Sequence, residues 1–475
     1  MKPALKKRPE TGVFGSPLTG LGRVLPFIKD ESGAMTYVGV TGAIVLMIMG
    51  GMGIDMIQTE LKRNKIQNTL DRAVLAAADL DQMLDPAEVV TDYMNKMNLS
   101  GALTSVTVDS GLNHKTVTAD ASISNPANFT KMLGIESMRA DGLAQAEERI
   151  SKVEISMVLD ISGSMANNEK LVRLKSASNT FIDTVLGSDT QDLISISLVP
   201  YSEQVNAGPL LTSQMNVNWV HGYSHCLEFP ESEFNSTALN TSMQYQQMQH
   251  FQWNYFGDNT RTDTVCPRYT YERISPFSHN ATALKAQVAQ LQPRAGTSIF
   301  MGMKWGAALL DPSTRNMTSN LIATGKVDSI FQGRPAAFDD VETLKTVVLM
   351  TDGQHDRSFR IQNWAYDSAS EIAQWDNYNL WYYLQRNVSS RNWGQFYTQK
   401  YNAALGDSLL DSVCDAAKAN NIVIWSIGFE VTDHGASVMQ NCASSPAHFF
   451  RVEGVEIEEA FYSIARAINQ LRLTQ

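Results

Sequence analysis

Basic residues are in short supply: 38 Lys and Arg stand against 49 Asp and Glu, a formal net charge of −11. A nucleic-acid binder needs a basic face to neutralise phosphates, so that class of partner is set aside. Charged residues make up 18% of the chain and hydrophobic ones 43%, a balance that excludes wholesale disorder. No Gly-x-Ser-x-Gly elbow occurs, and no histidine is marked as a base, which removes a nucleophilic-serine hydrolase and leaves no enzyme reading. Cysteine is scarce, at four: Cys226, Cys266, Cys414 and Cys442. At 475 residues the chain is too long for one ordinary domain.

Charge is missing altogether from Ser32 to Ile54. At ~1.5 Å per residue this run crosses ~30 Å of hydrocarbon. A cleaved signal peptide would be shorter and would end in a small-x-small site; here Asp55 and the helical stretch Ile57–Arg63 follow instead. The expectation is a retained transmembrane helix over 32–54. Residues 1–31, with Lys2, Lys6, Lys7, Arg8, Arg23 and Lys29, read as a basic cytoplasmic tail, although Lys62, Arg63, Lys65 and Arg72 reduce the asymmetry. Beyond the span, Ile66, Leu70, Ala73, Val74, Ala77 and Leu80 keep helical spacing. Asp85, Pro86 and Glu88 open a new helix, and the alternations at Val106–Val108 and Val117–Ile123 predict a hairpin around 110–113. Over 55–149, a small pilin-like α+β module and a plain stalk both stay open.

The segment from Gly33 to Asp55, followed by Gln67, Asn68 and the run Asp71–Ala78, resembles the N-terminus of TadG-like proteins. Those belong to bacterial Tad (tight adherence) or Flp pilus assembly systems. The related TadE-type pseudopilins carry a Glu five residues after a processing-site glycine; counting from Gly33 gives Val38. That departure agrees with a permanent anchor. The resemblance implies a single-pass protein of the bacterial inner membrane whose bulk lies in the periplasm or outside the cell.

The second part, 150–475, is organised around Asp160, Ser162 and Ser164, directly after the apolar run Val153–Leu159. One carboxylate and two hydroxyls, two residues apart, are the hard oxygen donors that Mg²⁺ or Mn²⁺ accepts. A helix over Leu171–Val185 and a strand at Leu193–Val199 make a crossover unit, hence a parallel sheet. Further buried strands fall at Lys345–Met350, Ile422–Ile427 and His448–Val452, with a closing helix after them. The fold class is therefore α/β: an open, doubly wound, mostly parallel sheet, which binds ligands at the carboxyl ends of its strands. Asp352 sits at such an end, and Thr297 lies in a Gly-containing loop before a predicted helix over 301–310. The order Asp-x-Ser-x-Ser, Thr, Asp resembles the metal-ion-dependent adhesion site (MIDAS) of von Willebrand factor A domains. The resemblance implies that Ser162, Ser164 and Thr297 ligate Mg²⁺ (or Mn²⁺ or Ca²⁺). Asp160 and Asp352 then ligate directly or hold the ion's waters.

Three insertions interrupt this pattern, at 206–290, 312–341 and 354–408, and they are rich in aromatics such as Trp253, Tyr269, Trp375 and Trp381. They form either a partner-recognition rim or a packing layer of their own. Four cysteines beyond a membrane span imply two disulfides in an exported domain, against four buried thiols in a cytosolic one. Cys226 with Cys266 would staple the first insertion and Cys414 with Cys442 would form the other bridge. His221, His225, Cys226 and Cys266 remain an alternative zinc set. Binding outweighs chemistry in such a site, because neutral hydroxyls leave the cation's charge for a partner's Asp or Glu to complete. Two functions follow. One is a Tad/Flp assembly component gripping pilus or pilus-assembly proteins; the other is a surface adhesin using the same site. An A-domain subunit of a cytosolic ATPase complex is contradicted by the apolar span.

Overall fold

The computed structural model describes residues 34–79, 84–110, 114–149, 152–187, 191–253 and 258–474. The chain divides into two compact units, Met1–Glu148 and Arg149–Gln475. The basic tail and the hairpin turn at 111–113 lie outside the described residues.

In the first unit one helix, α1 (Ala34–Ala78), runs unbroken for 45 residues, so the span and the helix expected after it are one element. Met35, Leu46, Met47 and Met49 on its first part are exposed. Among the described residues it is the one helix long and apolar enough to cross a membrane. Further along, Ile66, Leu70, Ala73, Val74 and Ala77 turn inward with the helical period and are buried. They meet α2 (Pro86–Lys96) and a sheet of β1 (Leu103–Ser110), β2 (His114–Pro126) and β3 (Ser137–Arg149), in that order. The Asp85 carboxylate caps α2 by accepting the Ala87 and Glu88 amides, with Pro86 in the first turn. β1 and β2 form the antiparallel hairpin, with Val108 opposite Val117. β3 was not foreseen. Its inward residues are Ala140, Ala144 and Ala146, whose single methyls give almost no alternation to read.

The second unit is built on a six-stranded mixed sheet. Its strands are β4 (Lys152–Asp160), β5 (Ile194–Tyr201), β6 (Ser275–Ser278), β7 (Thr343–Thr351), β8 (Val423–Phe429) and β9 (Phe449–Val452). They lie in the order β9-β8-β7-β4-β5-β6, all parallel except β6. β4, β5 and β7 are buried almost throughout, as strands rich in apolar residues and covered on both faces are. One face is covered by α3 (Lys170–Leu186), α4 (Ala281–Gln290) and the closing α8 (Glu456–Thr474). The other carries α5 (Ile299–Ala308), α6 (Ala403–Ala419) and α7 (Asp433–Cys442). Gly302 and Gly306 let α5 lie close on the sheet: a Cβ at either would stand within 2.8 Å of Val158 side-chain atoms.

β6 and α4 fall inside 206–290 yet join the main sheet and its layer. Of the rest of that segment, Leu227, Phe229, Phe234 and Tyr245 join the main core, and the remainder packs with 354–408. Phe251, Ile361, Trp375, Leu380 and Trp381 form a satellite core beside Cys226 and Cys266. Most of the aromatics therefore serve packing, while Trp364, Trp219 and Tyr378 stay exposed.

Cys226–Cys266 and Cys414–Cys442 are disulfides and no cysteine is free. The zinc alternative is thereby corrected, since both of its thiols are consumed. His221 Nε2 instead lies 2.9 Å from the Met248 carbonyl, and His225 stands edge-on to Trp219. The bridges close loops of 40 and 28 residues. Reducing either is expected to cost about 2–4 kcal/mol, read as a lower urea midpoint. Thiol reagents should label nothing before reduction; labelling of the untreated protein would contradict both bridges.

Candidate metal centre

β4 and β7 are neighbours, so Asp160 at the end of one and Thr351-Asp352 at the end of the other emerge side by side. Asp160 is fully buried. Its Oδ1 accepts the Ser162 amide at 2.7 Å, which curls the loop back on itself. Its Oδ2 accepts the Thr351 hydroxyl at 2.7 Å and lies 3.4 Å from the Tyr201 hydroxyl. The curl brings the Ser162 and Ser164 hydroxyls to 3.0 Å of each other, and Ser164 Oγ donates to Asp352 Oδ1 at 2.6 Å.

Thr297 arrives on a loop stapled to the first one by backbone. The Gly163 amide donates to the Ala295 carbonyl (2.9 Å), and the Arg294 amide to the Ile161 carbonyl (2.7 Å). Ala295 takes the left-handed region, at φ 49°, to make that turn. From the other side, Asp356 Oδ2 accepts the Thr297 amide at 3.2 Å while the Asp356 amide donates to the Thr297 carbonyl at 2.9 Å. A Cβ at Gly353 would stand 3.9 Å from both Ser164 Oγ and Thr297 Oγ1, so these two hydroxyls face one spot. Three loops thus bring Ser162, Ser164, Thr297 and Asp352 together, with Asp160 beneath them.

Several partners here gave no signal in the sequence. Lys170, nearly buried on the first turn of α3, reaches Asp352 Oδ2 at 3.0 Å and Glu430 at 3.7 Å. Tyr201 and Thr351 hold Asp160. His355 is buried: its Nδ1 lies 2.8 Å from Asp407, and its Nε2 accepts the Phe300 amide at 3.3 Å. It therefore steadies the helix that follows Thr297.

Burial, and then the nearby charge of Asp352, push the Asp160 carboxyl up to about 7; the Ser162 and Thr351 donors oppose this. The donor set suits a small hard cation: three neutral hydroxyls and two carboxylates, converging and shielded from bulk water. Among the described residues no group of three or more His, Cys, Asp or Glu side chains forms a cluster of metal-binding kind.

Behind the Thr297 loop lies a second buried carboxyl, Glu203, bonded by Ser358 Oγ (2.6 Å) and Trp253 Nε1 (2.9 Å). Burial pushes it up to about 7 against the opposing charge of Arg360. A raised carboxyl favours the fold fully below its unfolded value near 4.5, and that contribution is lost as pH rises through about 7. Stability should therefore fall over this window, and Glu203→Gln should fall less. Equal slopes in pH-dependent urea unfolding would refute the assignment.

Residues 33–80 match the Tad family, described as Flp pilus-assembly TadE/G-like. No curated protein matches the sequence. Among solved structures, the chain is similar to the vWF domain of the type V pili tip protein Mfa5 from Porphyromonas gingivalis. The identity is 14% and the TM-score 0.35, over 69% of this chain and 97% of that one. The PilB minor pilin from Streptococcus sanguinis matches at 12% identity and TM-score 0.33, over 78% of each chain. Proximal thread matrix protein 1 from the mussel byssus, with a zinc-occupied MIDAS motif, matches at 12% and 0.30, over 69% of this chain and 49% of that one.

Proposed function

We propose that this chain is a membrane-anchored component of a Tad/Flp pilus assembly system whose second unit is a von Willebrand factor A-type domain. In this reading the domain grips a protein partner through a divalent cation. The observation that carries the reading is the convergence of Ser162, Ser164, Thr297 and Asp352 at the carboxyl ends of β4 and β7. The match over 33–80 supports the pilus setting, and the long apolar helix supports the anchor. Two disulfides favour an oxidising compartment, hence a periplasmic or extracellular second unit and a cytoplasmic N-terminus.

Ser162, Ser164 and Thr297 would hold the ion, with Asp160 and Asp352 ligating or orienting from behind. When bound, Mg²⁺ supplies a partly uncancelled positive charge that a partner's Asp or Glu completes. The chain's own part is to fix the donors. The Asp160 carboxylate freezes the Ser162 loop and Asp356 freezes Thr297, while Lys170 bonds Asp352 Oδ2. One charged anchor then adds to a wider surface contact. The test is a pull-down of envelope proteins with and without EDTA, comparing wild type with Asp160→Ala. Capture of pilus components that is lost in EDTA and in the variant supports the reading, and equal capture throughout would sink it. Capture of an external ligand alone, with the same dependence, would favour the adhesin.

A further inference from the structure

The loop between β2 and β3 has a composition that its surroundings in the first unit do not explain. Phe129, Met132, Leu133 and Ile135 are all exposed, Met132 by 72% and Leu133 by 53%, and they crowd into seven residues around a 3₁₀ turn. Such a patch on a soluble surface marks a docking site. Here its position along α1 says what it meets.

The loop is fastened to α1 at one level. Asp55 is 2% exposed because the loop covers it. Its carboxylate accepts the amides of Asn128 (3.2 Å), Phe129 (2.8 Å) and Thr130 (2.8 Å), and the Thr130 hydroxyl (3.1 Å). One turn back, Phe129 packs against Gly51, where a Cβ would come within 2.4 Å of its Cγ. One turn on, Asn125 Nδ2 donates to Thr59 Oγ1 at 3.3 Å, and Lys62 reaches Asn125. The clamp thus centres on Gly51–Asp55.

That level is where the helix leaves the membrane. The uncharged run that ends at Ile54 is long enough, at ~1.5 Å per residue, to exhaust ~30 Å of hydrocarbon. Apolar exposure continues beyond, at Met56, Ile57 and Leu61, and the next exposed charges are Glu60, Lys62 and Arg63. A loop tied at Gly51–Asp55 sits about 10–16 Å along the helix on the membrane side of Lys62. It therefore lies at the headgroup boundary.

We infer that the 128–136 loop is a second membrane-contact element, seating Phe129, Met132, Leu133 and Ile135 in the lipid interface beside the span. Lys131, exposed on the same turn, meets the headgroups, and the Asp55 carboxylate, which would be costly in lipid, is screened by the backbone amides it binds. Two contacts rather than one fix the tilt of α1, so the first unit is held at a set angle to the bilayer.

The inference rests on the anchor reading, and the test separates the two. All native cysteines are paired, so a single introduced thiol can be labelled in the full chain. Met132→Cys, Leu46→Cys and Asn95→Cys would each carry nitrobenzoxadiazole in vesicles of phosphatidylethanolamine and phosphatidylglycerol. Lipid-borne spin labels and aqueous iodide serve as quenchers. The expected result is lipid-side quenching at 46 and 132 and aqueous quenching at 95. Lipid quenching at 46 with aqueous quenching at 132 overturns the loop proposal while the anchor stands; the patch would then await a protein. Aqueous quenching at both positions overturns the anchor and the loop together. In an Asp55→Ala background the probe at 132 should become several-fold more open to iodide; no change would mean that Asp55 does not seat the loop.

Discussion

Glu154→Ala is expected to cost about 3–5 kcal/mol of stability, because it strands a buried ammonium. Glu154 and Lys345 lie opposite each other across the β4–β7 pairing, both buried, with Oε2 and Nζ 2.6 Å apart. The second carboxylate oxygen accepts the Ala336 amide at 2.8 Å. Lys345 has one other acceptor, the Leu310 carbonyl at 2.9 Å. Arg334 lies nearby, bonded to the Val153 carbonyl and Ser195 Oγ, and burial pushes it down to about 10 while Glu154 pulls it back up. Burial likewise lowers Lys345, opposed by the same carboxylate. Glu154 therefore balances two buried cations, with Asp311 a weaker second anion toward Lys345. Removing both members of the strand pair is a different matter. Glu154→Met with Lys345→Met keeps the volume and leaves no orphaned ammonium, so the double variant should recover most of the loss. Urea unfolding of both singles and the double closes the cycle. A single variant within 1 kcal/mol of wild type, on the scale of an exposed pair, would show that the charges are not held as described.

How far the sequence reveals this architecture depends on burial. β4, β5, β7 and β8 are covered on both faces, so apolar residues dominate them and they are legible at sight, although Glu154, Lys345 and several serines and threonines are buried among them. Asp160, Ser162, Ser164 and Asp352 stand out for the same reason, as polar residues placed directly where such runs stop. Thr297 was harder, marked by a glycine and a following helix. β3 hides because alanine methyls carry its inward face, and β6 because it is four residues long. Lys170 and Glu430 were invisible for another reason. Each is ordinary in its own helix or loop, and only the tertiary fold sets Lys170 beside both Asp352 and Glu430. The aromatic insertions were ambiguous because aromatics suit both a core and a recognition rim. Their mutual packing around Trp375 and Trp381 decides for the core at those positions.

Lys170 gives the cation reading its sharpest consequence, because two single substitutions should shift affinity in opposite directions. Asp160 organises the donors from beneath: losing its carboxylate frees the Ser162 amide and the Thr351 hydroxyl and lets the loop uncurl. Loss of such an orienting group typically costs 10–100-fold in metal affinity. Asp160→Ala should therefore weaken Mg²⁺ or Mn²⁺ binding by about that factor. Lys170 works the other way. Its ammonium, 3.0 Å from Asp352 Oδ2, cancels a charge that a cation would otherwise use. At an effective dielectric near 20, a unit charge several ångströms away is worth on the order of 1–3 kcal/mol. Lys170→Met, which keeps the buried stem and drops the charge, should then tighten binding roughly tenfold. Calorimetric titration of the full chain in detergent measures both, and the shift of unfolding temperature with added Mg²⁺ provides a second reading. Weaker binding in both variants would mean that Lys170 positions Asp352 more than it opposes the ion. No binding to the wild type would remove the cation from this site and leave Lys170 as the permanent counter-charge of Asp352.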